Sequence, residues 1–192
     1  MNKEEKYAAL VPQVRALCEG ERDMIAKMAN VCALLHEEMG FWWTGFYRVL
    51  SVQCSVFSNA TQDSDSPLNT KHSTLNTQEL VLGPFQGPIA CTRIGYGRGV
   101  CGTAWKEGRT VVVPDVEQFP GHIACSSESR SEIVVPLFQN DEVVAVLDID
   151  SRELGTFDDT DSHYLEEVVR LVVGETRKEK GEVPPSPSGT PP

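Results

Sequence analysis

The sequence contains no long apolar run. No segment approaches the roughly 18 to 20 continuous apolar residues that a membrane-spanning helix needs. The longest apolar stretches, residues 133–138 and 143–147, have the length of strands. The first ten residues, MNKEEKYAAL, carry charges of both signs and lack the apolar core of a secretory signal. The sequence therefore predicts a cytoplasmic protein that has no membrane partner.

Basic residues are scarce. The chain has 17 Lys and Arg against 28 Asp and Glu, which gives a net charge of −11. A surface this acidic repels phosphates, so nucleic acid is excluded as a partner. With 192 residues, the chain has room for one well-buried core and a tail. We expect a single domain over residues 1–180, followed by a proline-rich, disordered tail over residues 181–192.

Closely spaced cysteine pairs are also lacking, although the chain has six cysteines. A cytosolic protein keeps its thiols reduced, so the cysteines do not indicate a framework of structural disulfides. Cys91, Cys101, His122 and Cys125 could supply four metal ligands, but the short C-x₂₋₄-C step typical of structural zinc sites is missing. We therefore predict no metal site. Cys18 and Cys32 lie in helical apolar stripes and are expected to be core thiols.

The hydrophobic periodicity predicts an α+β fold. We expect a layered arrangement with an antiparallel sheet of about five or six strands, and with the N- and C-terminal helices packed on one face. Residues 51–77 are mostly polar and predict an inserted surface loop. The elements expected from the pattern are helices over 4–19, 24–39 and from Thr156 onward, strands over 41–50, 79–85, 110–116, 132–138 and 142–150, and a short helix over 102–106.

The hairpin over residues 132–150 predicts a cluster of acids. If residues 139–141 form a three-residue turn, Glu132 lies opposite Asp148, and Asp150 shares their face because side chains alternate along a strand. Val134, Val144 and Val146 are expected on the same face. Like charges placed this close destabilise a sheet unless something offsets them, and a ligand with an ammonium group would do so. The alternative is that this face is simply open to water.

Several motifs together resemble one known family, the free methionine-(R)-sulfoxide reductases, which are single domains with the GAF fold. The resemblance covers about residues 1–178 and depends on six motifs in the family's order. These are WTGFYRV (43–49), ELVLGPFQG (79–87), the Cys-containing and Gly-rich stretch 91–103, the stretch 115–125 ending in FPGHIAC, SEIVVPL (131–137) and VLDIDS (146–151).

The resemblance implies a role for each matching cysteine. Cys125 of GHIAC corresponds to the thiol that attacks the sulfoxide, and Cys91 corresponds to its resolving partner. Cys101 matches the family's third cysteine, and its role stays open. His122 and the polar residues after Cys125 could favour the thiolate form, although each of these cysteines considered alone could also be inert.

The resemblance also implies the substrate contacts. Glu132, Asp148 and Asp150 match the family's substrate-binding acids, the same three residues that the hairpin register places on one face. Trp43 and Tyr47 match aromatic residues that form a wall around the substrate's methyl group. The two lines of argument therefore lead to the same acids.

The implied reaction reduces the R epimer of free methionine sulfoxide through a cysteine sulfenic acid and an intramolecular disulfide. Thioredoxin and NADPH would serve as the external reducing system, and no cofactor would be bound. A homodimer is compatible with the resemblance. The polar stretch 51–77 departs from the family, which usually has a very short turn there. The alternative function is a non-catalytic GAF module that senses a small molecule.

Overall fold

One antiparallel sheet organises the molecule. The computed structural model describes residues 1–58, 71–123 and 127–174, with the backbone alone described for 52–58 and 71–76. In chain order the elements are α1 (Lys3–Cys18), α2 (Met24–Met39), β1 (Trp43–Ser58), β2 (Lys71–Gln86), β3 (Arg93–Gly95), α3 (Gly99–Glu107), β4 (Val111–Val113), β5 (Ser131–Gln139), β6 (Glu142–Ser151) and α4 (Asp159–Val173). The six strands pair in the order β3-β2-β1-β6-β5-β4. The predicted α+β class is confirmed.

The helices begin and end at capping residues that the sequence contains. Asn2 caps α1 and exchanges hydrogen bonds with Glu5 in a capping box. Gly40 ends α2 in the left-handed conformation, which agrees with the predicted helix over 24–39. The cap of α4 is Asp158, two residues later than the predicted Thr156, because the Asp158 carboxylate accepts the first free backbone N–H groups. None of the described helices is long and apolar enough to cross a membrane.

Three helices cover one face of the sheet and form a helix-side core. Cys18 and Cys32 are buried in this core as free thiols, so the expectation that they are core residues is confirmed. The apolar face of each helix is removed from water only by this packing, which makes the face a major source of stability. The fully buried members include Tyr7, Val14, Met28, Leu35, Phe46, Ile133, Leu137, Leu147, Ile149, Leu165 and Val172.

The prediction of a loop over residues 51–77 is wrong at both ends. β1 continues to Ser58 and β2 begins at Lys71, and their backbones pair from Ser51 opposite Gln78 to Ser58 opposite Lys71. The polar composition of residues 51–77 predicted a loop, but backbone hydrogen bonds hold two strands together whether or not their side chains are apolar. Residues 59–70 and 175–192 lie outside the described residues, and the second range includes the predicted tail.

Gly83 and Pro84 lie inside β2 and do not end it, in agreement with the predicted strand over 79–85. The pairing of β1 with β2 shifts there, since Gly45 faces Phe85 whereas Tyr47 faces Leu82. A β-bulge of this kind leaves a residue out of the ladder and so accommodates a proline that cannot donate.

The β5–β6 hairpin has a different register from the predicted one. Its turn has two residues, Asn140 and Asp141, both with positive φ (53° and 65°), as in the tight hairpin turns that match strand twist. A bulge between Leu137 and Phe138 shifts the pairing further, so that Glu132 faces Asp150 and Asp148 faces Val134. The net shift is two residues, and an even shift keeps every side chain on its face.

The Gly-rich segment also differs in detail from the prediction. α3 begins at Gly99, three residues earlier than expected, and β3 precedes it. A Cβ on Gly102 would lie 2.5 Å from the carbonyl oxygen of Gly95, so only glycine lets α3 approach the preceding turn this closely. The predicted strand over 110–116 is confirmed only for β4, because Pro114 and a 3₁₀ turn at Val116–Gln118 end it.

We expect the buried carboxylate of Asp161 to hold α4 against α1. It accepts the Tyr7 hydroxyl at 2.8 Å and the backbone N–H of Asp158 at 2.9 Å, and it pairs with Lys3. Asp161→Ala should lower the free energy of unfolding by about 3 kcal/mol, because it leaves buried donors unpaired. Urea denaturation measures this value.

The matched control is Asp159→Ala, which removes an exposed acid from the same first turn of α4. It should cost less than about 1 kcal/mol, the range of a helix-dipole effect at an exposed position. Equal losses in the two variants would contradict the role of Asp161.

Candidate active site

A pocket opens on the face of the sheet opposite α1, α2 and α4, beside α3. Its walls come from β1, β5, β6, the start of α3 and two connecting segments, so residues distant in the chain meet there. Its lining residues are Trp42, Trp43, Tyr47, Pro88, Ile89, Ala90, Ile94, Arg98, Gly99, Val100, Cys101, His122, Ile123, Ser129, Glu132, Asp148 and Asp150.

The three predicted acids converge on this pocket. Glu132 and Asp148 are each 6% exposed, and Asp150 is half-buried. A carboxylate oxygen of Glu132, one of Asp148 and the Cys101 sulfur all lie within 4.8 Å of one another. The prediction that these acids share one face is confirmed, and the alternative of a face open to water is wrong.

The surroundings of the acids are apolar, with one correction to the prediction. Val134 and Val146 are buried on the pocket side of the sheet, as expected. Val144 instead packs against the helix-side core, because it is the extra residue of the bulge and so loses its place in the alternation.

Burial and mutual repulsion keep protons on the acid cluster. The pKa of Glu132 is raised well above its ordinary value, first by burial and then by the charges of Asp148 and Asp150. The pKa of Asp148 is raised by burial and by Asp150, while hydrogen bonds from Cys101 and Glu132 oppose the rise. The two carboxyl groups share a hydrogen bond, which requires a proton between them, so the Glu132–Asp148 pair retains a proton.

Asp150 differs from the other two acids. Burial raises its pKa to about 6, and a hydrogen bond from the Ser129 hydroxyl limits the rise. Asp150 is therefore the acid of the cluster that is ionised at neutral pH, whereas the pair beside it retains a proton.

Cys101 is a neutral thiol. It is 3% exposed, and burial followed by the charges of Asp148 and Glu132 raises its pKa well above the ordinary value. A thiol in this setting is a poor nucleophile because the thiolate is the reactive form. The Cys101 thiol donates a hydrogen bond to Asp148.

Trp43 and Tyr47 form one wall of the pocket, where the sequence interpretation placed them. Their rings stack with centroids 6.1 Å apart. The Trp43 indole N–H donates to the carbonyl of Pro88 at 2.9 Å, and the Tyr47 hydroxyl donates to that of Cys91 at 3.0 Å. Gly87 has φ 125°, and a Cβ there would lie 2.6 Å from the Trp43 ring. Glycine therefore gives the indole its space.

The three candidate cysteines are not equivalent in the structure. Cys91 is partly buried against the apolar residues on the pocket side of the sheet and is disulfide-bonded, whereas Cys101 is a free thiol. Cys125 lies outside the described residues. The described residues on either side of it, His122 and Ile123 before and Ser129 after, line the pocket.

The sequence interpretation missed Arg98, and it placed Ser129 only among the polar residues after Cys125. Ser129 contacts Asp150, and Arg98 lies where α3 begins, but neither follows from any periodic pattern. Trp42 lies at the rim of the pocket. The Arg152 guanidinium lies over the Trp42 ring, 5.0 Å from the ring centroid, and also forms an ion pair with Glu128 at 2.6 Å. The Trp42-Trp43 pair is visible in the sequence, whereas the position of Arg98 and the contact of Ser129 with Asp150 depend on how loops fold back.

His122 lies beside the cluster, with its Nε2 4.0 Å from a carboxylate oxygen of Glu132. Burial lowers its pKa, so the imidazole is largely neutral at neutral pH and can accept or donate a proton.

Comparison with known proteins identifies the family of this chain. Residues 28–173 match the GAF domain family. The chain is 48% identical to GAF domain-containing protein A of Dictyostelium discoideum, covering 89% of this chain and 92% of that protein. It is 42% identical to the free methionine-R-sulfoxide reductase of Escherichia coli (strain K12), covering 88% of this chain and 87% of that protein.

A solved structure resembles the whole described fold. The free methionine-R-sulfoxide reductase from Neisseria meningitidis, determined in complex with its substrate, is 45% identical and superposes with a TM-score of 0.73, covering 90% of this chain and 89% of that one. The chain therefore belongs to the GAF domain family and, within it, to the free methionine-R-sulfoxide reductases.

Proposed function

We propose that this protein reduces free L-methionine (R)-sulfoxide to methionine. The observation that carries the proposal is the buried cluster of Glu132, Asp148 and Asp150 beside the stacked rings of Trp43 and Tyr47. Acids recognise an ammonium group, and aromatic faces pack against the methyl group on the substrate's sulfur. Two relatives of this chain carry the name of this activity, at 42% and 36% identity.

The acid cluster selects a free amino acid over a peptide. A free amino acid carries an ammonium group that offsets the repulsion among Glu132, Asp148 and Asp150, whereas a methionine residue within a peptide has a neutral amide there. Burial strengthens this discrimination, since an uncompensated charge costs more in an apolar setting than in water.

The positive groups of the pocket lie at the start of α3. Arg98 and the first turn of α3 line the same pocket as the acids. The free amide groups of a helix N-terminus carry partial positive charge, so this end suits the substrate's carboxylate. The ammonium and carboxylate groups would then fix the amino acid's orientation.

In the proposed first step, the Cys125 thiolate attacks the sulfoxide sulfur. Its sulfur bonds to the sulfoxide sulfur, protons reach the sulfoxide oxygen, and methionine leaves as the oxygen passes to Cys125 as a sulfenic acid. The pKa of Glu132 is raised well above its ordinary value, and Glu132 lies beside Asp148 and the pocket space, so it is the proposed proton donor. Its neighbours Asp148 and Asp150 maintain that proton.

In the second step, the Cys91 thiol displaces water from the Cys125 sulfenic acid and forms a disulfide. The disulfide-bonded state of Cys91 and the hydrogen bond from Tyr47 to its carbonyl support its place at the pocket. The burial of Cys101 argues against that cysteine as the first resolving thiol.

We propose that a thioredoxin dithiol, itself reduced at the expense of NADPH, reduces this disulfide in the cytoplasm. This restores both thiols and balances the two electrons given to the sulfoxide. The scheme requires no bound cofactor, because sulfur alone carries the electrons.

The cysteine roles predict distinct kinetic outcomes. Cys125→Ser should abolish reduction of free methionine (R)-sulfoxide, whereas Cys91→Ser should still release one equivalent of methionine per chain before stopping. Multiple-turnover and single-turnover assays, with methionine quantified by chromatography, measure both. Cys18→Ser is the matched control, because Cys18 is a free thiol in the helix-side core, and it should turn over normally. Multiple turnovers by Cys125→Ser would contradict the scheme.

The pKa of about 6 for Asp150 predicts how kcat/KM depends on pH. Below that pH, Asp150 is protonated and loses the charge that attracts the ammonium group, so kcat/KM should fall as the pH falls. Asp150→Asn should reduce kcat/KM about 10- to 100-fold well above pH 6, the range of a charged hydrogen bond.

The ratio of wild-type to Asp150→Asn kcat/KM isolates this ionisation from that of the other groups. The ratio should approach 1 below about pH 6, where the wild-type acid is also neutral. A ratio that does not change with pH would show that Asp150 acts only through its shape.

A further inference from the structure

We propose that the pocket also binds one Zn²⁺ ion through Cys101, Glu132 and Asp148. Zinc would occupy the place of the substrate's ammonium group and block the site reversibly. The competition with substrate rests on the proposed function, whereas the metal site itself does not.

The three potential ligand atoms already lie close together. One oxygen of each carboxylate and the Cys101 sulfur are all within 4.8 Å of one another. Zinc ligands at their usual bond lengths in a tetrahedron lie about 3.3 to 3.5 Å apart, so small side-chain rotations complete the geometry. The three residues come from α3, β5 and β6, which are regular elements and hold them in place.

An unpaired buried atom points to a ligand independently of the cluster. Asp148 is 6% exposed, and although its side chain accepts hydrogen bonds from Cys101 and Glu132, its Oδ1 atom has no hydrogen-bond partner among the described residues. A buried acceptor without a partner costs free energy, and here it belongs to a side chain that lines an open pocket. A cation bound at that atom would remove the cost.

The mixture of ligand atoms selects the metal. Mg²⁺ and Ca²⁺ favour sites made wholly of oxygen, whereas a thiolate with carboxylates suits Zn²⁺. His122 could complete the coordination, because its Nε2 lies 4.0 Å from Glu132. Three ligands with an imidazole or a water in the fourth position are a common arrangement for accessible zinc sites.

The site has a functional consequence. Zinc and the ammonium group of the substrate would compete for Glu132 and Asp148, so metal binding would inhibit the enzyme without modifying any thiol. A chelator should then restore activity fully, which separates this effect from oxidation of Cys125 or Cys91.

Cobalt(II) is the spectroscopic probe for the test. It is added to the full chain with Cys91 in its disulfide, so that the Cys91 thiol does not contribute. We expect a near-ultraviolet sulfur-to-cobalt charge-transfer band that saturates at one equivalent and that Zn²⁺ abolishes. Free L-methionine (R)-sulfoxide should raise the apparent cobalt dissociation constant linearly with its concentration, by a factor of one plus the ratio of the sulfoxide concentration to the sulfoxide's own Kd.

Three variants locate the site. Cys101→Ser should lose the band, and Glu132→Gln should keep it but bind cobalt at least about tenfold more weakly. Cys18→Ser changes a thiol in the helix-side core and should leave both band and affinity unchanged. Circular dichroism establishes that each variant is folded. If Cys101→Ser does not fold, the affinity of Glu132→Gln for cobalt alone tests the location of the site.

The metal site is overturned if the wild type shows no band, if Cys101→Ser retains it, or if Glu132→Gln binds cobalt as tightly as the wild type. Cobalt binding that free methionine sulfoxide does not weaken would contradict the proposal that the metal and the substrate's ammonium group occupy the same position. A cobalt band in a protein that reduces no sulfoxide would contradict the proposed function alone, and sulfoxide reduction without a band would contradict the metal site alone.

Discussion

The repulsion among three buried carboxylates determines most of what this pocket can do. Glu132, Asp148 and Asp150 lie on one face of the β5–β6 pair, among apolar neighbours that cannot solvate their charges. Such a cluster must hold protons, bind a cation or both. In the proposed mechanism, Glu132 supplies the proton for the sulfoxide oxygen, and the remaining charge of the cluster binds the ammonium group. Recognition and proton transfer therefore have one physical origin.

The rest of the fold keeps these acids together. α1, α2 and α4 bury the opposite face of the sheet and keep β5 and β6 in register, so that the carboxylates cannot separate to relieve their repulsion. α3 places Cys101 against Asp148 from the other side, and Gly102 permits that approach. Stability gained in the helix-side core thus offsets electrostatic strain in the pocket, as is common at functional sites.

The sequence was most informative where a pattern has a short period. Alternation along a strand placed the three acids on one face, and helical spacing located α1 and α2, because both signals depend only on local geometry. The pairing partner of Glu132 was wrong because turn length and a bulge are set by backbone conformations that few residues signal. The extension of β1 and β2 was missed because polar strands carry no hydrophobic pattern. Ser129 and Arg98 reach the pocket because loops fold back in the tertiary structure, and such placement leaves no periodic pattern in the sequence.

The most direct test is chiral analysis of free methionine sulfoxide, present as both sulfur epimers, after incubation with this protein, thioredoxin, thioredoxin reductase and NADPH. The N-acetylated sulfoxide, which lacks the ammonium group, is analysed in parallel. The account predicts loss of the free R epimer, with the free S epimer and both acetylated epimers left intact. Persistence of both free epimers with folded, reduced protein would contradict it and favour a GAF module that binds a ligand without catalysis.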